Sequence, residues 1–351
     1  MRLRGGSGRL VASIAGVAGL ALGLFGLSGV VGSPAQAYAP VDQPGPALSV
    51  PTAVLNAAIS CDQNPSTVHR DIILLVPPTL FDPAEAYGWN YEPAFRALGY
   101  PYCTVTFPDY SDGDVQVNGE YVVNAVRVLY GKSGRQVELF GWSQGASTAP
   151  RWALRWWPDI RPMVASLVGL APVNEYGSDT VEGYCVVECI PAAWQQVRRI
   201  TGASPNFMNA LDSIQQTFPG IAYTVIYSLT DEVAGFNVIT PAVSPLPPAP
   251  NVFNVATQQI CPLQVVEHLD IPTSSAAYAV AIAALAHPGR LPNLAAIDTA
   301  QVCADPFMPY DSAVSVLQHE AYSAAVLPTR LTTGMVTSEP PLACYVTNTC
   351  A

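Results

Sequence analysis

Charge is what this sequence has least of. Only 12% of its 351 residues are Asp, Glu, Lys or Arg, and 26 acidic residues outnumber 15 basic ones. With a pI near 4.7, the chain cannot supply the basic face that phosphate contacts demand, which excludes a nucleic-acid binder. Histidine is scarce, at four residues, and no cysteine pair has C-x-x-C spacing, which argues against metal ligation. Internal repeats and long charge runs are absent, so neither a solenoid nor a charged tail is expected. Apolar residues are abundant instead, at 50%, with 6 Trp, 16 Tyr and 10 Phe, enough for a sizeable core and too many for a disordered polymer. The 33 prolines and 26 glycines mark many loops without making the chain low-complexity.

Only the N-terminus carries a long uncharged run. Arg2, Arg4 and Arg9 precede the apolar stretch from Leu10 to Gly32, and Ala35-Gln36-Ala37 has the small-x-small form of a cleavage site. Residues 1–37 therefore read as a secretory signal, with cleavage near Ala37 and release outside the cell. A retained membrane anchor is the alternative, because the run is long enough to span a bilayer. Cleavage would remove three arginines and no acids, moving the formal charge from −11 to −14. In an exported chain the eight cysteines become structural candidates. Cys185 with Cys189, and Cys344 with Cys350, are close enough for local clips. That leaves Cys61, Cys103, Cys261 and Cys303 for longer loops, in pairings the spacing does not decide.

Residues 38–351 read as one domain. A Pro/Ala-rich arm with a short helix occupies 38–60. Ile72–Val76 is a continuous apolar run of strand length, as expected for a strand buried on both faces. Further strands are predicted at Cys103–Phe107, Val137–Phe140, Ser166–Ala171 and Ala222–Tyr227, with a weaker one at Gln264–Val266. Helical spacing marks Val117–Tyr130, ending near Gly131, a helix from about Gln144 to Trp157, and a last one over Asp311–Ala325. Ala313, Val314, Val316, Leu317 and Ala321 form the apolar stripe of that last helix. Thr240–Asn251 holds five prolines and reads as loop. Strands alternating with helices predict an α/β fold with a mostly parallel central sheet flanked by helices.

Gly141-Trp142-Ser143-Gln144-Gly145 fits G-x-S-x-G between a strand and a helix. Such a turn lifts the serine hydroxyl clear of the sheet, and the flanking glycines let neighbouring backbone pass closely. A base and an orienting acid must follow in the order Ser, Asp/Glu, His. His69 precedes the serine, His287 sits at a helix end and His319 lies inside the last helix, so His268 is the candidate base. Asp231, just past the strand Ala222–Tyr227, is the candidate acid, ahead of Glu232 and Asp212. The backbone N–H of Gln144 is one expected oxyanion donor. Pro77 and Pro78 have no N–H, so the first donor after Ile72–Val76 is Thr79, which also carries a hydroxyl.

The combination Leu74-Leu75-Val76-Pro77-x-Thr79, Gln116-Val117-Asn118-x-Glu120-Tyr121-x-Val123-Asn124-Ala125 and Trp142-Ser143-Gln144-Gly145 resembles the family of secreted lipases typified by Candida antarctica lipase B. Trp194-Gln195-Gln196, Tyr227-Ser228-x-Thr230-Asp231-Glu232 and Val266-x-His268 extend the likeness, which runs from about Ala57 to Tyr310. The resemblance implies an α/β-hydrolase fold and a triacylglycerol lipase or carboxylesterase without metal or organic cofactor. It places the triad at Ser143, Asp231 and His268, the oxyanion hole at Thr79 and Gln144, and substrate contacts at Trp142, Val233 and the helix around Asp311–Ala325. It also implies disulfides Cys61–Cys103, Cys261–Cys303 and Cys344–Cys350. The chain departs from the family at Pro78, where a glycine is usual, and at Gly141, where threonine is. It departs again in Tyr176–Pro191, which does not match the family's cap, and in the shorter loop closed by the C-terminal bridge. The expected partners are a small-molecule or lipid ester and, transiently, a lipid interface, met as a monomer. The alternatives are an esterase for short-chain or polymeric esters, and a non-catalytic binding protein on the same scaffold.

Overall fold

Five consecutive apolar residues, Ile72–Val76, form strand β2, and all five are buried. Alternation survives within the run. Ile72, Leu74 and Val76 face one half of the core, while Ile73 and Leu75 face the other. The computed structural model describes residues 37–175, 190–197, 204–234, 237 and 243–350. The expected signal before Ala37 lies outside them. So do both cysteines of the expected local clip, Cys185 and Cys189, and the disulfides found among the described residues therefore include neither Cys185 nor Cys189.

The strands in chain order are β1 (Ile59–Cys61), β2, β3 (Tyr102–Val105), β4 (Val137–Trp142), β5 (Val164–Leu170), β6 (Ile190–Pro191), β7 (Ala222–Tyr227), β8 (Val252–Ala256) and β9 (Met335–Val336). Seven of them make one sheet in the order β1-β3-β2-β4-β5-β7-β8. Only β1 runs antiparallel to its neighbour; every other pairing in this sheet is parallel. β6 and β9 pair separately. Val76 lies opposite Gly141, and Leu170 opposite Trp142 and Ile226. This register brings the carboxyl ends of β2, β4 and β7 to one edge, where open parallel sheets present their functional groups.

Two expectations fail here. Gln264–Val266 is loop, not strand: Leu263 is 97% exposed and Val265 73%, so nothing holds the segment in a sheet. The edge strand is β8 instead, which starts straight after the Pro-rich loop. The last helix spans Ala313–Arg330, capped by Ser312, and its apolar stripe is not its buried face. Val316 packs inward, but Val314 and Leu317 are exposed, while His319, Ser323 and Arg330 are buried. The helix at Val115–Ser133 starts on the Asp114 side chain, which accepts from Gln116 N–H. It runs through Gly131 and stops at Gly134, whose φ of 66° ends it in the left-handed conformation. Among the described residues no helix is long and apolar enough to cross a membrane.

The three disulfides implied by the resemblance are present. Cys61 and Cys103 face each other across the β1–β3 ladder. The N-terminal arm is fastened along the body. Glu120 accepts from Ser49 N–H at 2.6 Å, Ser49 Oγ at 2.8 Å and Val50 N–H at 3.0 Å. Ala39 donates its N–H to Val346 O at 2.8 Å, and its own carbonyl accepts from Arg155 Nη2 at 2.6 Å.

Glu138 of β4 is fully buried, with Ser166 Oγ donating to Oε2 at 3.2 Å and Oε1 unpartnered. Burial pushes its carboxyl up to about 8, against a weaker opposing pull from Arg70. The folded value lies above the unfolded one, about 4.3. The stability contributed by the protonated form is therefore complete below about pH 4.3 and is lost as pH rises towards 8. Glu138→Gln removes this titration. The variant is expected to melt like wild type at pH 4 and roughly 5 °C higher at pH 8. Coincident melts at pH 8 in scanning calorimetry would contradict this account.

Candidate active site

Ser143 begins a turn of 3-10 helix directly after β4, with φ of 54°. A non-glycine residue in this region costs on the order of 1–3 kcal/mol and persists only where its surroundings force it. They do so here. A Cβ on Gly141 would lie 1.9 Å from Gly145 O, and one on Gly145 would lie 2.0 Å from Val76 O. Two glycines are thus needed to fold the turn back over the ends of β4 and β2. The helix expected from about Gln144 is interrupted: the 3-10 turn spans Ser143–Ala146, Ser147 breaks it, and the α-helix runs Thr148–Trp156.

Asp231 follows β7 and has no exposed surface. Its Oδ1 accepts from the N–H groups of Val233 at 3.0 Å and Ala234 at 2.7 Å, which leaves Oδ2 for the His268 ring, 2.8 Å from Nδ1. Glu232 does not compete for the ring, because its Oε2 accepts from the His268 backbone N–H at 2.9 Å. Asp212 pairs with Arg151 instead, at 2.5 Å. The His268 loop is pinned without a strand. Thr230 Oγ1 donates to Val266 O and accepts from Val266 N–H, and Trp142 Nε1 donates to His268 O at 3.1 Å. Burial opposes a charge on the ring. The Asp231 carboxylate outweighs it, with Glu232 adding to the effect, and the imidazole pKa lies above its ordinary value.

Ser143 and His268 are brought into one neighbourhood through Trp142, whose ring centroid lies 5.9 Å from the imidazole. Among the described residues the ring's hydrogen bond is to Asp231, and the Ser143 hydroxyl does not reach it in this conformation. Such contacts are often long before substrate arrives and tighten with it. His69 and His287 lie away from this edge, on a loop before β2 and after the helix Ser275–Leu285. His319 stacks on Trp89 at 4.4 Å, and burial lowers its pKa to about 4. Trp142, the residue before the serine, is 1% exposed and stacks on Phe81; Val233 is half-buried beside Asp231.

Thr79 and Gln144 meet through their side chains. Gln144 Nε2 donates to Thr79 Oγ1 at 2.8 Å and to Ser111 O at 2.9 Å, while its Oε1 accepts from Asn118 Nδ2 at 2.8 Å. Because Thr79 Oγ1 acts as acceptor there, the hydroxyl keeps its own hydrogen to donate. Sequence reasoning selects Gln144 for its backbone alone and misses this side-chain bridge, which joins three distant loops and leaves no local pattern. Among the described residues no cluster of three or more His, Cys, Asp or Glu is placed to hold a metal ion.

A serine raised on such a turn, at the carboxyl edge of a mostly parallel sheet that orders its strands in this way, defines the α/β-hydrolase class. No family model matches the chain. Lipase B of Pseudozyma antarctica is 34% identical over 249 residues, covering 68% of this chain and 69% of that protein. The crystal structure of Aspergillus fumigatus lipase B matches with a TM-score of 0.77 at 25% identity, covering 89% of this chain and 76% of that one. The chain belongs to the lipase B family of lipase-type ester hydrolases.

Proposed function

We propose that this protein is a secreted serine hydrolase of lipid or other water-insoluble esters, working through an acyl-enzyme on Ser143. The buried Asp231–His268 pair, 2.8 Å apart and delivered beside the strained serine turn, carries the reading. Ser143 Oγ attacks the ester carbonyl carbon while His268 Nε2 takes its proton. The carbonyl oxygen becomes an oxyanion facing the Gln144 N–H, the Thr79 N–H and the Thr79 hydroxyl. As the carbon–oxygen bond breaks, His268 returns the proton to the leaving alcohol. Water then repeats the sequence, releasing the carboxylic acid and restoring the serine. Asp231 fixes the imidazole tautomer and stabilises the ring while it is charged. Trp142 and Val233 border the reacting ester. The N-terminal signal pattern and the three disulfides support export.

The test is hydrolysis of p-nitrophenyl esters of increasing chain length and of emulsified triglyceride, before and after treatment with diethyl p-nitrophenyl phosphate. Hydrolysis is expected, lost in proportion to one phosphoryl group bound on the peptide carrying Ser143. The pH profile of kcat/KM should have its acid limb above 6.5, because the neutral ring is the base and its pKa is raised. No turnover of any ester, or inactivation with the label elsewhere, would overturn the proposal.

A further inference from the structure

Arg330 closes the C-terminal helix, 250 positions from the loop after β2, yet its guanidinium is buried against that loop. Nη1 donates to Leu80 O at 2.8 Å and to Glu85 Oε2 at 2.8 Å. Nη2 donates to Glu85 Oε1 at 2.6 Å and to the Tyr322 hydroxyl at 3.1 Å. Its flat face lies 4.1 Å from the ring centre of Tyr110. Glu85 is itself immobilised, since its Oε2 accepts from Asp82 N–H in the capping box of the helix Pro83–Tyr87 and Tyr322 also donates to it.

These contacts converge on one strained peptide. Leu80, the residue after Thr79, has φ of 75°, and its N–H donates to Tyr110 O at 2.8 Å. Its carbonyl is held by Arg330, so both polar groups of Leu80 are tied to features that Arg330 touches. Asp109, Tyr110 and Ser111 are likewise left-handed, at φ of 51°, 53° and 68°. A loop in this conformation needs outside support. It receives that support from Arg330 on the Tyr110 ring and from Gln144 on Ser111 O.

We infer that Arg330 is the positioning residue of the oxyanion hole, setting the direction of the Thr79 donors through Leu80 and Tyr110. The inference rests on the ester-hydrolase reading above. Arginine suits the task and lysine does not, because a planar fork can serve the Glu85 carboxylate and the Leu80 carbonyl at once.

The experiment compares wild type with Arg330→Met, Arg330→Lys, Arg330→Ala, Tyr322→Phe and Ser143→Ala, all as the full-length protein. Arg330→Met is expected to lose about 10–100-fold in kcat with KM within twofold, and to be phosphorylated by diethyl p-nitrophenyl phosphate more slowly by the same factor. Arg330→Lys should recover only part of the loss, and added guanidinium should restore part of the kcat of Arg330→Ala. Tyr322→Phe, which removes one contact on Arg330 and Glu85 but leaves the bonds of Arg330 to Leu80 and Glu85, is expected to lose less in kcat than Arg330→Met. If Arg330→Met folds and keeps kcat within twofold while Ser143→Ala is inert, the inference fails and the hydrolase reading stands. If Arg330→Met does not fold, Arg330→Lys decides by the same kcat and KM criterion. If Ser143→Ala is as active as wild type, the reading beneath the inference is the part that fails.

Discussion

Ser143→Ala is expected to lower kcat by about 10⁵–10⁶-fold while leaving the thermal melt within a degree or two of wild type. The loss is large because, in the proposed mechanism, every bond-making step passes through that oxygen, and the nearby serine hydroxyls are not placed to replace it. Ser147 Oγ is committed to Ser143 O and the Val173 N–H, and Ser111 is buried. The melt should hold because the side chain is only partly buried and its hydroxyl is not a structural link. Alanine also accepts the left-handed backbone about as poorly as serine, so the strain at φ 54° is unchanged. A variant that keeps activity and releases p-nitrophenol at the wild-type rate would remove Ser143 from the mechanism.

The second large effect belongs to the acid. Asp231→Asn is expected to reduce kcat by about 10⁴-fold at neutral pH, close to the loss from His268→Ala. The geometry explains why one atom matters so much. In the native chain two backbone N–H groups occupy Oδ1, and Oδ2 receives the imidazole Nδ1–H, which puts the lone pair of Nε2 on the serine side. The asparagine side chain of the variant would keep its oxygen on the two N–H donors and turn its NH₂ towards the ring. Nδ1 must then accept, the hydrogen moves to Nε2, and the base is lost without a change of shape. His287→Ala and His319→Ala should keep most of the activity, because neither ring faces Asp231. If either of those abolished turnover in a folded protein while Asp231→Asn did not, His268 would be the wrong base.

Legibility in the sequence follows burial. Ile72–Val76 and Ala222–Tyr227 are readable to the residue, because both are covered on two faces and so carry unbroken apolar runs. β8 is not, since it lies at the sheet edge with Val252, Phe253 and Asn254 only half-buried, and no strong pattern marks it. Sequence reasoning reaches His268 as the tail of a strand that does not exist. Its position comes from Thr230, Glu232 and Trp142, side chains whose partners are 36 to 126 positions away. The last helix misleads in a different way, because Val316 is the only buried member of the expected apolar stripe, and His319, Ser323 and Arg330 are buried beside it while Val314 and Leu317 point outward. Arg330 and Leu80 are invisible for the same reason as the bridge from Gln144 to Ser111: a bond between distant loops imposes no spacing on either.

Head and tail of the described chain sit side by side, with Ala39 hydrogen-bonded to Val346. A short peptide joining the two would turn the polypeptide into a near-closed circle that can be cut elsewhere. The exposed turn at His287–Arg290 offers such a cut, on the surface and between helices rather than within one. A circularly permuted enzyme opened there would start and finish at that turn, with the order of Ser143, Asp231 and His268 along the chain preserved.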